Sequence, residues 1–232
     1  MYFRNLVFSA FAIAIVAGLF LSIYQEFLIT PIILDSEVYE IAEPAGAHAD
    51  AVEAWSPADG MERSGFSLVS NLLVCFAYAL LLLSAMAVKS SLKVRQGIFW
   101  GGSAYLSIFA APALGLPPEI PGMEAAYLEG RQAWWLLAVL FTAMGLWLIA
   151  FSKMTFKGLG VVMLVIPHLI GAPQPEFHGF ANTDPQAVSA LTALWHNFII
   201  QTSLANALLW LIIGMLSAFL TAKFIHPLDH KE

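Results

Sequence analysis

Residues 167–198 read PHLIGAPQPEFHGFANTDPQAVSALTALWHNF, and they interrupt the long apolar runs that fill most of the chain. The apolar run that leads into them is shorter than a bilayer crossing needs. Four helix breakers then follow: Pro167, Gly171, Pro173 and Pro175. Irregular backbone at membrane depth is tolerated only where protein or a water-filled cavity surrounds it. The stretch therefore predicts a short crossing that ends beside a solvated part of the protein.

The composition is typical of an integral membrane protein. Hydrophobic residues make up 59% of the chain, charged residues only 11%, and the mean hydropathy is +0.77. Several apolar runs reach the length of about 18 residues that indicates a transmembrane helix. We therefore predict an all-α polytopic integral membrane protein, a single transmembrane domain over residues 1–232 with about six transmembrane helices. The predicted spans are 5–24, 66–88, 98–116, 133–151, 158–170 (short and broken by Pro167) and 193–221, with an acidic outer loop over 25–65.

Local signals support several of these boundaries. The first run ends in Tyr24-Gln25-Glu26, which is a poor signal-peptide cleavage site, so we expect it to be a retained helix. The adjacent prolines Pro117 and Pro118 are expected to stop the third helix. Asp184 followed by Pro185 predicts an N-cap and a first-turn proline, and thus the start of the sixth helix.

The basic residues indicate the orientation. With six spans and the N-terminus in the cytoplasm, eight of the ten lysines and arginines lie inside and only Arg63 and Arg131 lie outside. Cytoplasmic loops carry such an excess of basic residues. We therefore predict a multi-pass protein of the inner (cytoplasmic) membrane with both termini in the cytoplasm.

The acidic residues show the opposite distribution. In this topology, all of them except Asp229 and Glu232 lie in the three outer loops. A surface field of one sign raises the local concentration of the opposite ion, so the outer face could attract cations. The alternative is that exported loops are merely solvated by acids, and both readings stay open.

Several classes of protein find no support in the sequence. Cys75 is the only cysteine and lies in an apolar run, so neither a disulfide framework nor a thiolate metal cluster is predicted. The chain has no nucleotide-binding or zinc-protease motif, and nothing in it suggests nucleic-acid binding. We expect a protein that is not an enzyme and that holds no tightly bound cofactor.

Three segments together resemble the CbtA family, predicted cobalt transporter subunits. They are FRNLVFSAFAIAIVAGLFLSIYQEFLITPIILDSEVYE near the N-terminus, the central GRQAWW, and the later PHLIGAPQPEF. The resemblance spans nearly the whole chain. It implies a membrane subunit that takes up cobalt for cobalamin synthesis, with Co²⁺ as the transported ion. It also implies a small single-span partner, CbtB, in addition to contacts with membrane lipid and a divalent metal ion.

The residues themselves suggest where metal could bind. Imidazole and carboxylate groups suit divalent transition metals, and ionisable side chains within a membrane are by default candidates for function. The candidate metal ligands are His168, His178, His196, His48, Glu37 and Glu40. We expect a relay in which His178 and His196 lie at the outer mouth, His168 lies deeper, and Gln201 and Asn206 line the way down. The alternative for each histidine is an interfacial side chain that hydrogen-bonds to the backbone.

Two other functions remain open at this stage. Two of the histidines could ligate a haem in a membrane redox protein, for which the axial ligands must face each other at one depth. The chain could also be a non-catalytic scaffold subunit, in which alanine at all three histidines of residues 167–198 would leave function intact.

Overall fold

The computed structural model describes residues 2–39, 57–88, 93–176 and 179–225, and within these ranges the protein is built from helices without a strand ladder. Two long helices begin the chain, α1 (Tyr2–Glu37) and α2 (Met61–Ala87). Helix α3 covers residues 97–113 in three consecutive pieces, Gly97–Tyr105, Leu106–Ala110 and Ala111–Ala113. Helices α4 (Leu128–Phe151), α5 (Met154–Ile170) and α6 (Pro185–Ile225) complete the fold.

These helices confirm the predicted class, an all-α polytopic membrane protein. Four of them, α1, α2, α4 and α6, are long and apolar enough to cross a membrane. Helix α5 is shorter, with 17 residues, and at a rise of about 1.5 Å per residue it measures about 25 Å.

The helices pack in two groups. Helices α1, α2, α3 and α6 form one bundle, in which α1 lies against α2, α3 lies against α6, and α6 also touches α1 and α2. Helices α4 and α5 form a hairpin, and α4 packs mainly on the second half of α3, residues 106–113. The contact zone where α1, α2 and α6 meet is called the seam below.

Glycines set the closest helix contacts, because in a membrane small residues let two backbones approach. A Cβ atom placed on Gly97 would lie 2.5 Å from the carbonyl oxygen of Gly214, across the α3–α6 contact. Gly101 faces the same part of α6. In the hairpin, a Cβ atom on either Gly145 or Gly160 would lie 2.7 Å from the carbonyl oxygen of the other residue.

Contacts between helix termini define two opposite ends of the molecule. At one end, Asn5 Nδ2 donates to the carbonyl of Phe224 at 2.9 Å, and the rings of Trp100 and Phe151 lie 5.8 Å apart. The helix ends meeting there carry Arg4, Lys93, Arg95, Lys153, Lys157 and Lys223, so we call it the basic end. Successive helices run in alternate directions away from it.

Most acidic residues that the structure describes lie at the opposite end of the molecule. There the Trp195 indole donates to the carbonyl of Pro118 at 2.8 Å, and Asn182 Nδ2 donates to the carbonyl of Tyr39 at 3.0 Å. Nine of the described acidic residues belong to the helix ends and loops gathered there: Asp35, Glu37, Asp59, Glu62, Glu119, Glu124, Glu129, Glu176 and Asp184. The tenth, Glu26, lies within α1 and contacts Ser64 near the start of α2. We call this end of the molecule the acidic end.

Two wide π turns accommodate prolines inside helices. The turns Gln25–Ile29 and Leu106–Ala110 end two residues before Pro31 and Pro112. A proline ring clashes with the carbonyl four residues earlier and donates no hydrogen bond, and a π turn widens the helix at that place. The helices therefore continue through both prolines.

The first of these turns corrects one prediction. We predicted an irregular acidic loop over residues 25–65, but α1 continues through Gln25 and Glu26 to Glu37, and α2 begins at Met61. The polar side chains at that point face other helices, as described below, so they do not end the helix.

The fifth and sixth helices are also longer than their predicted spans. Helix α5 begins at Met154 and contains Pro167 within its last turn, so the proline does not break it. Helix α6 begins at Pro185, and the Asp184 carboxylate accepts from the Ala187 N–H at 3.1 Å, which confirms the predicted N-cap. The 41 residues of α6 measure about 61 Å, about twice the thickness of a bilayer core.

Candidate functional site

A layer of amide and hydroxyl groups lies in the seam below the acidic end. Asn71 is 8% exposed and sits ten residues into α2, about 15 Å from its start. Its Nδ2 donates to Gln25 Oε1 at 2.6 Å and to Ser22 Oγ at 3.0 Å, both on α1. Both bonds use the side-chain nitrogen of Asn71, so neither of them uses its side-chain oxygen, Oδ1. The π turn of α1 begins at Gln25, and π turns are frequent at functional sites.

Helix α6 joins this layer through a tyrosine. The Tyr24 hydroxyl donates to Gln201 Oε1 at 2.8 Å, and Gln201 Nε2 donates to Asn197 Oδ1 at 3.4 Å. All three helices of the seam thus contribute uncharged polar groups near one depth. Asn206, which we predicted to line a route with Gln201, donates instead to the carbonyl of Thr202 in its own helix at 2.9 Å.

Charged groups lie above the layer, toward the acidic end. Ser64 Oγ donates to a carboxylate oxygen of Glu26 at 2.9 Å. Arg63 forms ion pairs with Glu37 and Asp59, each at 3.0 Å. The Arg63–Glu37 pair joins the end of α1 to the start of α2, whereas the Arg63–Asp59 pair is local to the start of α2. Solvent screens these exposed or partly exposed side chains, so each pair contributes little to stability.

Two buried hydroxyls lie near the basic end of α6. Ser217 and Thr221 are 0% exposed, and among the described residues neither Ser217 Oγ nor Thr221 Oγ1 has a hydrogen-bond partner. They are one turn apart, so they share a face of α6.

His168 lies near the acidic end of the α4–α5 hairpin. It occupies the last turn of α5, it is half-buried, and its ring meets that of Trp134 edge-on with centroids 6.0 Å apart. Trp134 Nε1 donates to the carbonyl of Pro167 at 3.1 Å. Because Trp134 is six residues into α4, His168 lies about 9 Å from the start of that helix at the acidic end.

Of the other predicted ligands, the structure describes His196 and Glu37. His196 is exposed on α6 and stacks on its neighbour Trp195, with ring centroids 5.7 Å apart. Helices α5 and α6, which carry His168 and His196, belong to different packing groups. His178, His48 and Glu40 lie outside the described residues.

No group of three or more His, Cys, Asp or Glu side chains comes together within the described ranges. A high-affinity cage of such ligands is therefore not formed by the part of the chain that the structure describes. The metal ligands stay a prediction.

The central segment GRQAWW makes two kinds of contact. Arg131 binds Glu119 at 2.7 Å, while Glu26 accepts from Ser64. The two tryptophans of the segment differ in burial. Trp135 is 39% exposed, whereas Trp134 is 5% exposed and packs between helices.

Sequence reasoning missed the most buried member of the polar layer. Asn71 has no charge and no imidazole, so a search for metal ligands passes over it. One feature of the sequence could have indicated it: Asn71 is a strongly polar residue inside the apolar run 66–88. In a membrane such a side chain faces the protein interior, where it needs a hydrogen-bond partner.

The fold and this layer define a class: polytopic helical membrane proteins with a polar contact zone between packed helices and charge separated between their two ends. Comparison with known families is more specific. The family described as "Probable cobalt transporter subunit (CbtA)" matches residues 3–222, and the chain therefore belongs to the CbtA family. Comparisons with curated proteins and with solved structures each gave no match.

Proposed function

We propose that the chain is the membrane subunit of an uptake transporter for cobalt, or a closely related divalent transition metal, that supplies cobalamin synthesis. Membership of the CbtA family carries this proposal. The separation of charge supports it, because a cluster of acids at one end raises the local concentration of cations there.

The proposal includes a partner and a location. The family description calls its members subunits, which supports a small single-span CbtB-type protein as the second component. We place the protein in the inner membrane with the basic end in the cytoplasm, because basic residues accumulate on that side. It acts as a transport subunit and not as an enzyme.

A haem protein remains the competing function, and the geometry favours it less. Axial histidines must face each other across one haem. His168 packs on Trp134 in the hairpin, and His196 lies exposed on a helix of the other group.

Uptake by intact cells tests the proposed function. Cells with and without the gene are compared for accumulation of radioactive cobalt, nickel and zinc ions. We expect gene-dependent uptake of cobalt. Equal uptake of all three metals by both strains would contradict the proposal, and a haem absorption band in the purified protein would favour the competing function.

The orientation gives a direct prediction. Single cysteines near Gly46 and Glu124 should react with an impermeant thiol reagent added outside, whereas cysteines near Ser90 and Lys231 should react only after the cells are opened. The reason is the position of the basic residues, eight on one side and two on the other. The reversed labelling pattern would show the opposite orientation.

We propose that His168 holds the ion at the acidic end. This role predicts the effect of substitutions at His168. His168→Ala should abolish metal uptake, and His168→Gln, which keeps hydrogen bonding but is a poorer ligand, should be nearly as damaging. Both variants should still insert and fold, because the bond from Trp134 Nε1 to the carbonyl of Pro167 does not involve the imidazole. Protein in the membrane is measured beside uptake, and normal transport by His168→Gln would show that the imidazole is only a structural group.

A further inference from the structure

Ser217 and Thr221 on α6, like Thr142 on α4, carry buried hydroxyls that have no hydrogen-bond partner among the described residues. Ser107, Thr192 and Thr202 each donate to a carbonyl of their own helix, at 2.7 to 2.8 Å. The hydroxyls of Ser217 and Thr221 do not, although both residues are 0% exposed. A buried polar group without a partner is destabilising, and such a group calls for an explanation, for example an ion or a water molecule that occupies the site at times.

The surroundings of these hydroxyls lead toward the basic end. Thr221 begins the last turn of α6, Thr221–Ile225, and this turn packs on α1 and α2. A cavity of about 270 Å³ opens beside it between α1 and α6, and its lining includes the polar side chains of Asn5 and Ser9. The other walls of this cavity are apolar (Phe8, Ala12, Leu220 and Phe224), and neither Ser217 nor Thr221 lines it.

Between the basic end and the polar layer of Ser22, Gln25 and Asn71, apolar side chains fill the seam. Ile13, Leu83 and Ile213, one from each helix, are 0% exposed and belong to one apolar cluster. On α6 the distance from Gln201 to Ser217 is 16 residues, or about 24 Å along the axis. The seam thus has a polar layer near the acidic end, an apolar block, and a pair of free hydroxyls near the basic end.

We propose that the seam between α1, α2 and α6 is the route of the divalent ion, which passes from the proposed capture site at His168 on the acidic end to the layer of Ser22, Gln25 and Asn71 and leaves past Ser217 and Thr221. This route rests on the proposed function and names the helices that carry the ion. The apolar block closes the route in the state described here, and the ion passes when these helices shift.

The chemistry of the route is that of neutral oxygen ligands. Amide carbonyls and hydroxyls hold a divalent transition metal more loosely than imidazole or thiolate groups do. A transported ion must bind well enough to enter and weakly enough to leave. The ion therefore keeps part of its water shell along the seam, and these groups do not by themselves select cobalt over nickel or zinc.

A purely structural role for the same groups makes a different prediction. Hydrogen bonds between transmembrane helices contribute on average about 0.6 kcal/mol, which is a factor of about three in an equilibrium. The Thr221 hydroxyl makes no such bond to any residue that the structure describes, so its removal should then be neutral or stabilising.

Uptake of radioactive cobalt ion by cells that carry the full-length chain separates the two roles. Thr221→Val replaces the hydroxyl by a methyl group of similar size, and Thr192→Val is the matched control, because its hydroxyl bonds only to its own helix. We expect the initial rate to fall about tenfold or more with Thr221→Val, beyond the factor of about three of one helix-joining bond, and to be unchanged with Thr192→Val. Asn71→Leu should lower it equally, with protein in the membrane measured in each case.

The outcomes distinguish the route from the function. If the wild-type chain gives no gene-dependent uptake, the proposed function fails and the route fails with it. If the wild-type chain transports cobalt and Thr221→Val or Asn71→Leu transports at the same rate, the seam is not the route, while the proposed function stands.

Discussion

Gly101→Val is expected to remove the folded protein from the membrane, whereas Gly102→Val, one residue further along the same helix, is expected to have little effect. A Cβ atom on Gly101 would overlap the carbonyl group of Trp210 on α6, and this backbone cannot move aside without separating α3 from α6. A Cβ atom on Gly102 meets nothing within 4 Å. Overpacking typically costs about 1–3 kcal/mol, and contact with rigid backbone places Gly101→Val at or above the top of that range.

The neighbouring glycine makes this a well-controlled experiment. Both substitutions change the intrinsic helix propensity equally, so any difference reports the contact with α6. The measurement is the amount of monodisperse protein in mild detergent and its Tm. Equal Tm values for the two variants would show that α3 and α6 do not cross at these glycines.

The second large effect is expected at Trp134. Trp134→Ala should destabilise the protein by about 3–5 kcal/mol, the range for removing a large buried aromatic side chain. The indole packs against Gly115 and the ring of His168, and it donates to the carbonyl of Pro167. Its loss would free the end of α5 from α4.

Two further variants separate packing from hydrogen bonding at this position. Trp134→Phe keeps most of the packing and loses the N–H donor, so it should cost only about 1 kcal/mol. Trp135→Ala is the control, because this neighbour is 39% exposed. Thermal unfolding in detergent ranks the variants, and a Trp135→Ala variant as unstable as Trp134→Ala would contradict the assigned packing.

The predicted architecture followed from hydropathy, and its errors came from side chains whose partners lie far away in sequence. Gln25 and Glu26 look like the end of a helix because they are polar, but Asn71 and Ser64 of α2 bond them in place. The π turn before Pro31 lets the helix continue to Glu37. A single sequence shows neither the pairing nor the turn.

The candidate site was less predictable than the fold for the same reason. Arg131 could pair with several acids, and only the packed structure selects Glu119. The unpaired state of Ser217 and Thr221 is likewise invisible in a sequence, since serine and threonine within helices usually bond to their own backbone.

The uncharged character of the seam has an electrical consequence. Ser22, Gln25, Asn71, Ser217 and Thr221 have no charge to neutralise a passing ion or to move with it. A divalent cation would therefore carry two full charges across the membrane field, and each charge gains about 2.3 kcal/mol per 100 mV. An interior-negative potential of that size would supply about 4.6 kcal/mol per ion, enough to drive accumulation without nucleotide hydrolysis, and each transport event would register as an inward current.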